Sequence, residues 1–167
     1  YIRHYLKKAQ SLSKYHAGDF VAAVSFAEEC ANVTDDATLQ ASGFVSVAEF
    51  IINYGEVNGN SLDALLKAYG IGVSLPLITY ISLARKLIST MRYEESINVA
   101  LKGLTIFPSS ATLMIIIGIN CYRLERFTET ESCLIEATLL DSRNSEAWSF
   151  MSLLCLAHGS SRLDEAT

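Results

Sequence analysis

The sequence predicts an all-α fold of antiparallel helix pairs stacked side by side, and three observations support this prediction. When residues 77–110 are written above 111–144, large and small residues coincide with a 34-residue period. Half of the 167 residues are hydrophobic and 19% are charged, which suits helices that are buried on two sides. The two prolines, Pro76 and Pro108, each stand at or near a predicted helix start, where a missing N–H costs little.

The matched positions follow a size pattern that has a packing reason. Places 8 and 20 of each copy are small, so that the two helices of a pair can approach each other where they cross. Place 17 carries an aromatic ring that fills the gap to the following copy. These residues are Ala84 and Gly118 at place 8, Tyr93 and Phe127 at place 17, and Ser96 and Thr130 at place 20.

This period and this pattern resemble the tetratricopeptide repeat (TPR) family. The resemblance implies a right-handed α-solenoid of stacked TPR helix hairpins, because one pair alone cannot bury both of its apolar faces. We expect four repeats plus a partial fifth in a single domain, residues 1–167. The chain begins without an initiator Met and ends within a helix-like segment, so we expect a fragment of a longer chain. The expected repeats cover about 4–37, 41–76, 77–110, 111–144 and, partially, 145–167.

Local signals predict several helix ends. Apolar residues spaced three or four apart predict a helix over about 1–16. Asp35 and Asp36 suit the positive start of the next helix. The polar segment 55–60 predicts a long turn. Gly159 predicts a further turn before a last, second helix.

Nothing in the sequence predicts catalysis. The histidines lack metal-ligand spacing, and we expect them at the surface or at helix ends. The cysteines lack C-x-x-C spacing, and we expect buried, reduced thiols in a reducing compartment, with neither disulfides nor bound metal. The residues are His4, His16 and His158, and Cys30, Cys121, Cys133 and Cys155. We therefore expect no enzyme activity, no cofactor and no small-molecule substrate.

Charge and hydropathy exclude two further partner classes. The net charge of -5 gives no clustered basic face for nucleic acid. The apolar stretch 103–122 is as long as a membrane-spanning helix, but Pro108 interrupts it and the repeat places a turn there. We therefore expect neither nucleic-acid nor membrane partners, and a protein partner becomes the first hypothesis.

The TPR resemblance also implies which side chains form a partner-binding groove, because places 2, 5, 9, 12 and 13 of each first helix face it in that family. The groove is mostly aliphatic, with two arginines. Its residues are Ile78, Ile81, Arg85, Ile88, Ile115, Ile119, Tyr122, Arg123, Leu153 and Leu156.

The composition of this groove distinguishes between ligand classes. The carboxylate clamp of chaperone-binding TPR domains needs Lys, Asn and Arg where this chain has Ile81, Arg85, Ile116, Glu146 and Phe150. An aliphatic groove instead suits an amphipathic helix, supplied by a partner or by the same chain. The alternative is that superhelical packing closes these aliphatic side chains off from any partner.

Residues 118–159 carry a more specific likeness, above all the Cys-Tyr-Arg-Leu-Glu segment 121–125, which the generic repeat does not demand. The segment resembles the C-terminal TPR region of a family of cilia- and flagella-associated proteins. That resemblance implies a non-enzymatic scaffold of the motile axoneme, in the central apparatus or dynein-arm region. It would act in the cytoplasm and cytoskeleton of the cilium, where it would dock neighbouring axonemal subunits and contribute to beating.

Two alternatives stay open at this point. One is a TPR adaptor in another cytosolic assembly, such as a transport, chaperone or cell-cycle complex, with a partner peptide in the groove. In that case Arg85 and Arg123 would hold an acidic segment. The other is a regulatory domain of an enzyme, which rests only on the expected truncation.

Overall fold

A computed structural model describes residues 1–54 and 61–164, and all regular structure in these ranges is α-helical, as predicted. The chain forms two compact units, Tyr1–Thr79 and Tyr80–Thr167. The assignment of a single domain stays a prediction. Within the described ranges the helices are α1 (Ile2–His16), α2 (Phe20–Asn32), α3 (Ala37–Tyr54), α4 (Ser61–Gly70), α5 (Leu77–Ser89), α6 (Tyr93–Ile106), α7 (Ala111–Arg123), α8 (Phe127–Leu140) and α9 (Ser145–Asp164).

The helix bounds reproduce the 34-residue register. The helices α5, α7 and α9 begin at Leu77, Ala111 and Ser145, each 34 residues after the last. The second helices α6 and α8 begin at Tyr93 and Phe127, with the same interval. In the first two of these copies the predicted pairing of a first and a second helix is observed, because α7 packs on α8 and Ser96 of α6 bonds to Ala84 of α5.

In the first unit, consecutive helices pack on one another from α1 to α4. The predicted starts hold: Asp36 Oδ1 accepts the backbone N–H groups of Thr38 and Leu39 at 3.0 and 3.1 Å, and so caps α3. At the crossing of α2 and α3, a Cβ on Gly43 would lie 2.7 Å from the Cα of Ala31, so only glycine fits there. The predicted turn 55–60 lies outside the described residues.

A left-handed residue forms the turn within three of the helix pairs. Gly18 has φ 80°, and the equivalent residues Met91 and Glu125, at the same repeat place 15, have φ 59° and 60°. Residues other than glycine rarely adopt this backbone conformation, because their Cβ atom would lie too close to the following carbonyl oxygen. Met91 and Glu125 show that the hairpin geometry is imposed by packing in the second unit, even where the local residue disfavours it.

In the second unit, the small residue at place 20 has a polar function as well. Ser96 Oγ donates a hydrogen bond of 2.9 Å to the carbonyl oxygen of Ala84, the small residue at place 8 of the paired helix. Gly118, at place 8 of the next pair, lies close to Leu134 and Cys133 of α8. The predicted close approach of paired helices at these places is thus observed. In the pair α5 and α6, the hydrogen bond from Ser96 to Ala84 fixes it.

The predicted turn at Gly159 is wrong, because α9 continues without a break to Asp164. One glycine costs a helix about 1 kcal/mol relative to alanine, and no proline follows it to stop the backbone hydrogen bonds. Among the described residues, no helix combines the length and the apolar character that crossing a bilayer requires.

Candidate functional site

The middle of the predicted groove is closed by packing within the second unit. Ile115 and Ile119 are 0% and 8% exposed, so their side chains form part of a core. We call this core the groove-side cluster; it consists of Ile115, Ile119, Ala137 and Ala147, with Ile88, Met114 and Phe150 packed against it. These residues come from α5, α7, α8 and α9. The cluster therefore holds four helices together and presents little apolar surface to a partner.

The other predicted groove residues lie in more open positions. Ile81 and Tyr122 are half-buried, and the Tyr122 ring packs edge-on against Phe127 with 5.9 Å between the centroids. Arg123, Leu153 and Leu156 are exposed in the second unit. Ile78 is exposed in the first turn of α5 and belongs to the first unit. Within the second unit, Arg123, Leu153 and Leu156 are therefore the predicted groove residues that are open to a partner.

The two predicted arginines differ in their surroundings. Arg85 Nη2 lies 2.9 Å from Glu146 Oε2, so a carboxylate from α9 already occupies its guanidinium. Arg123 is exposed and makes no ion pair with any residue that the structure describes. An acidic segment of a partner would therefore meet Arg123 first, and would have to displace Glu146 to reach Arg85.

A buried polar network, which the sequence analysis did not identify, crosses the same region. Asn120 is fully buried on α7, and its Nδ2 donates 2.8 Å hydrogen bonds to Ser96 Oγ and to the Ile116 carbonyl oxygen. Among the described residues, Asn120 Oδ1 finds no hydrogen-bond partner. The signal in the sequence was an amide within the aliphatic segment 113–121. Together with the Ser96–Ala84 bond, the network fixes the position of α7 on α6.

A second concave feature lies where α6, α7 and α8 meet, and we call it the outer pocket. Its volume is about 340 Å³. Ile117 and Cys121 of α7, both buried, form its floor. Its walls are Ile97 and Leu101 of α6 and, from α8, Glu129, Cys133 and two small hydroxyl residues. The pocket is outside the predicted groove, because Ile117 points away from its neighbours Ile115 and Ile119 on the helix.

The two thiols of the outer pocket are not activated. Burial, followed by the nearby Cys133 and Glu129, raises the pKa of Cys121 to about 11. Burial also raises the pKa of Cys133, and the carboxylates of Glu136 and Glu129 raise it further. Both thiols are therefore protonated at neutral pH and are poor nucleophiles.

The prediction of buried cysteines holds for only part of the set. Cys30 and Cys121 are buried and Cys133 is half-buried, and all four cysteines are free. Cys155 is exposed, so its prediction is wrong, because no described helix covers its side of α9. It shares repeat place 11 with Cys121, whose side chain is covered by its neighbours in the second unit.

The histidines were predicted at the surface or at helix ends; His4 lies in the first turn of α1, but it is buried and not at the surface. Its ring is 1% exposed, and its Nδ1 lies 3.1 Å from the Cys30 carbonyl oxygen and 3.2 Å from Cys30 Sγ. The Cys30 carbonyl and thiol give the ring polar partners in this buried position. Burial raises the pKa of Cys30, with Lys8 opposing the effect, so this pair is a packing contact without an activated thiolate.

His16 is exposed at the last position of α1, as predicted, and the side chain of His158 lies outside the described residues. No group of three His, Cys, Asp or Glu side chains in the described part of the chain is placed to hold a metal ion.

Comparison with known sequences gives a short likeness. No profile of a known protein family matches the chain. Over 43 residues it is 49% identical to cilia- and flagella-associated protein 70 of Macaca fascicularis and to the protein of the same name of Homo sapiens. The matched segment covers 26% of this chain and 4% of each relative, so the chain corresponds to a small part of those proteins.

Comparison with solved structures covers nearly the whole chain. A tetratricopeptide repeat protein from Parabacteroides merdae superimposes with a TM-score of 0.78 over 96% of this chain and 62% of that protein, at 13% identity. MamA from Desulfovibrio magneticus superimposes with a TM-score of 0.75 over 94% of this chain and 86% of that chain, also at 13% identity. At such identities the likeness concerns the fold alone. The predicted fold class, an all-α TPR fold, is confirmed.

Proposed function

We propose that this chain is a protein–protein interaction scaffold of the motile cilium or flagellum. Its role would be to dock neighbouring axonemal proteins, in the central apparatus or dynein-arm region, and so to contribute to ciliary beating. The observation that carries this proposal is the 49% identity over 43 residues to cilia- and flagella-associated protein 70, on a chain with the TPR fold. A TPR array offers extended surfaces for other proteins, which suits a scaffold.

The exposure of some predicted groove residues supports this proposal. Leu153 and Leu156 of α9 are 45% and 70% exposed, and a partner helix could bury both. Arg123 would meet a carboxylate at the edge of such an interface. Ile115 and Ile119 would act indirectly, because they hold α7 in place beneath this surface.

The test uses the full-length protein that contains this chain, tagged in ciliated cells from which axonemes are isolated after detergent extraction. We expect the tag in the axonemal fraction, and expect the double variant Leu153→Glu/Leu156→Glu to shift towards the detergent-soluble fraction. Leu139→Glu is the matched control, since Leu139 on α8 is 80% exposed but lies outside the predicted groove. A wild-type protein that never enters axonemes would contradict the proposal.

The exposed Arg123, which lacks an ion pair with any described residue, supports a second candidate. In it, the chain is an adaptor in another cytosolic assembly and binds an acidic peptide. Binding of a synthetic acidic peptide that weakens with added salt, and that Arg123→Gln abolishes, would favour this candidate. Salt-insensitive binding of an amphipathic helical peptide would favour the aliphatic contact instead.

A further inference from the structure

The outer pocket is a second concave surface that the groove prediction does not include. It has a volume of about 340 Å³, which is near the lower end of the range of about 300–1,000 Å³ for sites that enclose small ligands. Its floor consists of the buried Ile117 and Cys121, and Leu101 at its wall is 48% exposed. A pocket with these walls removes apolar surface from water when an apolar group enters it.

The charge of the side chains that line this pocket is negative. Glu129 is the one charged residue among the side chains that line it. Its carboxylate faces the buried Cys121 thiol at 3.8 Å, a weak contact that leaves most of its hydrogen-bonding capacity unused. Glu136 adds a second carboxylate close to Cys133. Arg126 lies nearby, but it does not fully neutralise these two carboxylates, because its guanidinium also forms an ion pair with Glu94 of α6.

We propose that the outer pocket receives an apolar side chain of a partner protein that carries a lysine or arginine beside it. The apolar side chain would pack on Ile97, Leu101 and Ile117, and the cation would lie against Glu129. Charge complementarity of this kind selects partners, because an anionic group here would face the Glu129 carboxylate, which forms no ion pair with any described residue. The proposal is independent of the ciliary assignment, since it concerns a pocket of this chain and any partner that fits it.

Cys133 allows a direct test, because its thiol lines the pocket. The chain is equilibrated under mild reducing conditions with three mixed disulfides that carry a benzyl, an aminomethylbenzyl or a carboxybenzyl group. Intact mass and peptide mapping then give the captured fraction at each cysteine. We expect the captured fraction at Cys133 to be about fivefold higher for the cationic probe than for the anionic probe. This is the effect of one exposed charge pair, attractive for the first probe and repulsive for the second. The exposed Cys155 on α9 serves as the internal control and should show little preference.

Two variants separate the charge from the apolar contact. Glu129→Gln should remove the charge preference at Cys133 and leave capture of the neutral benzyl probe unchanged. Leu101→Ser should lower the capture of all three probes. Glu131→Gln is the matched control, because Glu131 is exposed on α8 and does not line the pocket.

Circular dichroism of each variant confirms that it is folded, and Leu101 and Glu129 are exposed enough for their replacement to leave the fold intact. Equal capture of the three probes at Cys133 would overturn the cationic part of the proposal. Equal capture of the benzyl probe at Cys133 and Cys155, or a preference for the anionic probe, would overturn the docking site as a whole.

Discussion

The two faces of α7 are both aliphatic, yet one is filled and the other is open. Ile115 and Ile119 pack into the groove-side cluster, whereas Ile117 and Cys121, on the opposite side of the helix, form the floor of the outer pocket. All four side chains are at most 8% exposed. The residues of α7 are thus equally buried on both faces, and the difference lies in what the neighbouring helices bring to each face.

The neighbours of the groove-side cluster match the isoleucines in shape. Ala137 and Ala147 allow α8 and α9 to approach closely, and larger side chains such as Phe150 close the remaining space. At the outer pocket, α8 brings Glu129 and Cys133, whose side chains leave an open concave space beside the nearly buried Ile117 and Cys121. The burial of an aliphatic face therefore depends on complementary volume in its partners, and apolar residues alone do not produce it.

The largest effect should come from removing the same atoms on each face of α7. We expect Ile115→Ala to lower the free energy of unfolding by about 2–5 kcal/mol, because the truncation leaves a cavity in a closed core. Ile117→Ala should cost clearly less, because a pocket already lies beside it and little new enclosed cavity forms. Urea unfolding followed by far-UV circular dichroism measures both. Equal costs would mean that the two faces are packed alike.

Adding volume should again destabilise the groove-side face more than the face at the outer pocket. Cys133 and Ala137 are one turn apart on α8, and Ala137 is 0% exposed in the groove-side cluster. We expect Ala137→Leu to destabilise the protein by about 1–3 kcal/mol through overpacking, or by more if the helices must separate. Cys133→Leu should have little effect or be slightly stabilising, because the outer pocket has room for the added atoms. Thermal unfolding of the two variants decides this, and an equal loss in both would rule out an open pocket.

The polar network between the two faces should contribute less than the core. Ser96→Ala removes an acceptor from Asn120 and the donor to the Ala84 carbonyl oxygen. We expect a loss of about 1–3 kcal/mol, because polar atoms remain buried without partners. The double variant Ser96→Ala/Asn120→Leu should recover part of this loss in urea unfolding, since it removes the buried amide as well. A double variant less stable than Ser96→Ala would indicate that Asn120 has another essential contact.

Much of the fold was predictable because the repeat is encoded in short-range size patterns. Ala84 and Gly118 occupy the same repeat place, and so do Tyr93 and Phe127. Because the two residues of each pair have the same packing role, they are enough to place the starts of α5, α6, α7 and α8. The turns were less predictable. Met91 adopts φ 59° although its side chain disfavours it, because the helices on both sides fix the backbone.

The groove residues stay a prediction. The TPR resemblance predicted which residues of α7 and α9 would line a groove, but it gave no information on the volume of side chains across the helices. Ile115 therefore looked identical to Leu156, although one is fully buried and the other is 70% exposed. The outer pocket was missed for the same reason, because it is formed by what α6 and α8 do not fill.

The smallest predicted effect concerns the ion pair between Arg85 and Glu146. Arg85 and Glu146 join α5 to α9 at 2.9 Å, but their side chains are 51% and 37% exposed, so solvent and salt weaken the attraction. We expect a double-mutant cycle with Arg85→Gln and Glu146→Gln to give a coupling energy of about 0.2–1 kcal/mol, decreasing as salt is added.

Arg123→Gln is the control in the same experiment, since Arg123 lacks an ion pair with the described residues and should show no coupling to Glu146. A coupling of several kcal/mol, insensitive to salt, would mean that the pair is desolvated and that it closes the groove. In that case a partner would have to break the Arg85–Glu146 pair before binding, and the groove would be less accessible than the exposed Leu153 and Leu156 indicate.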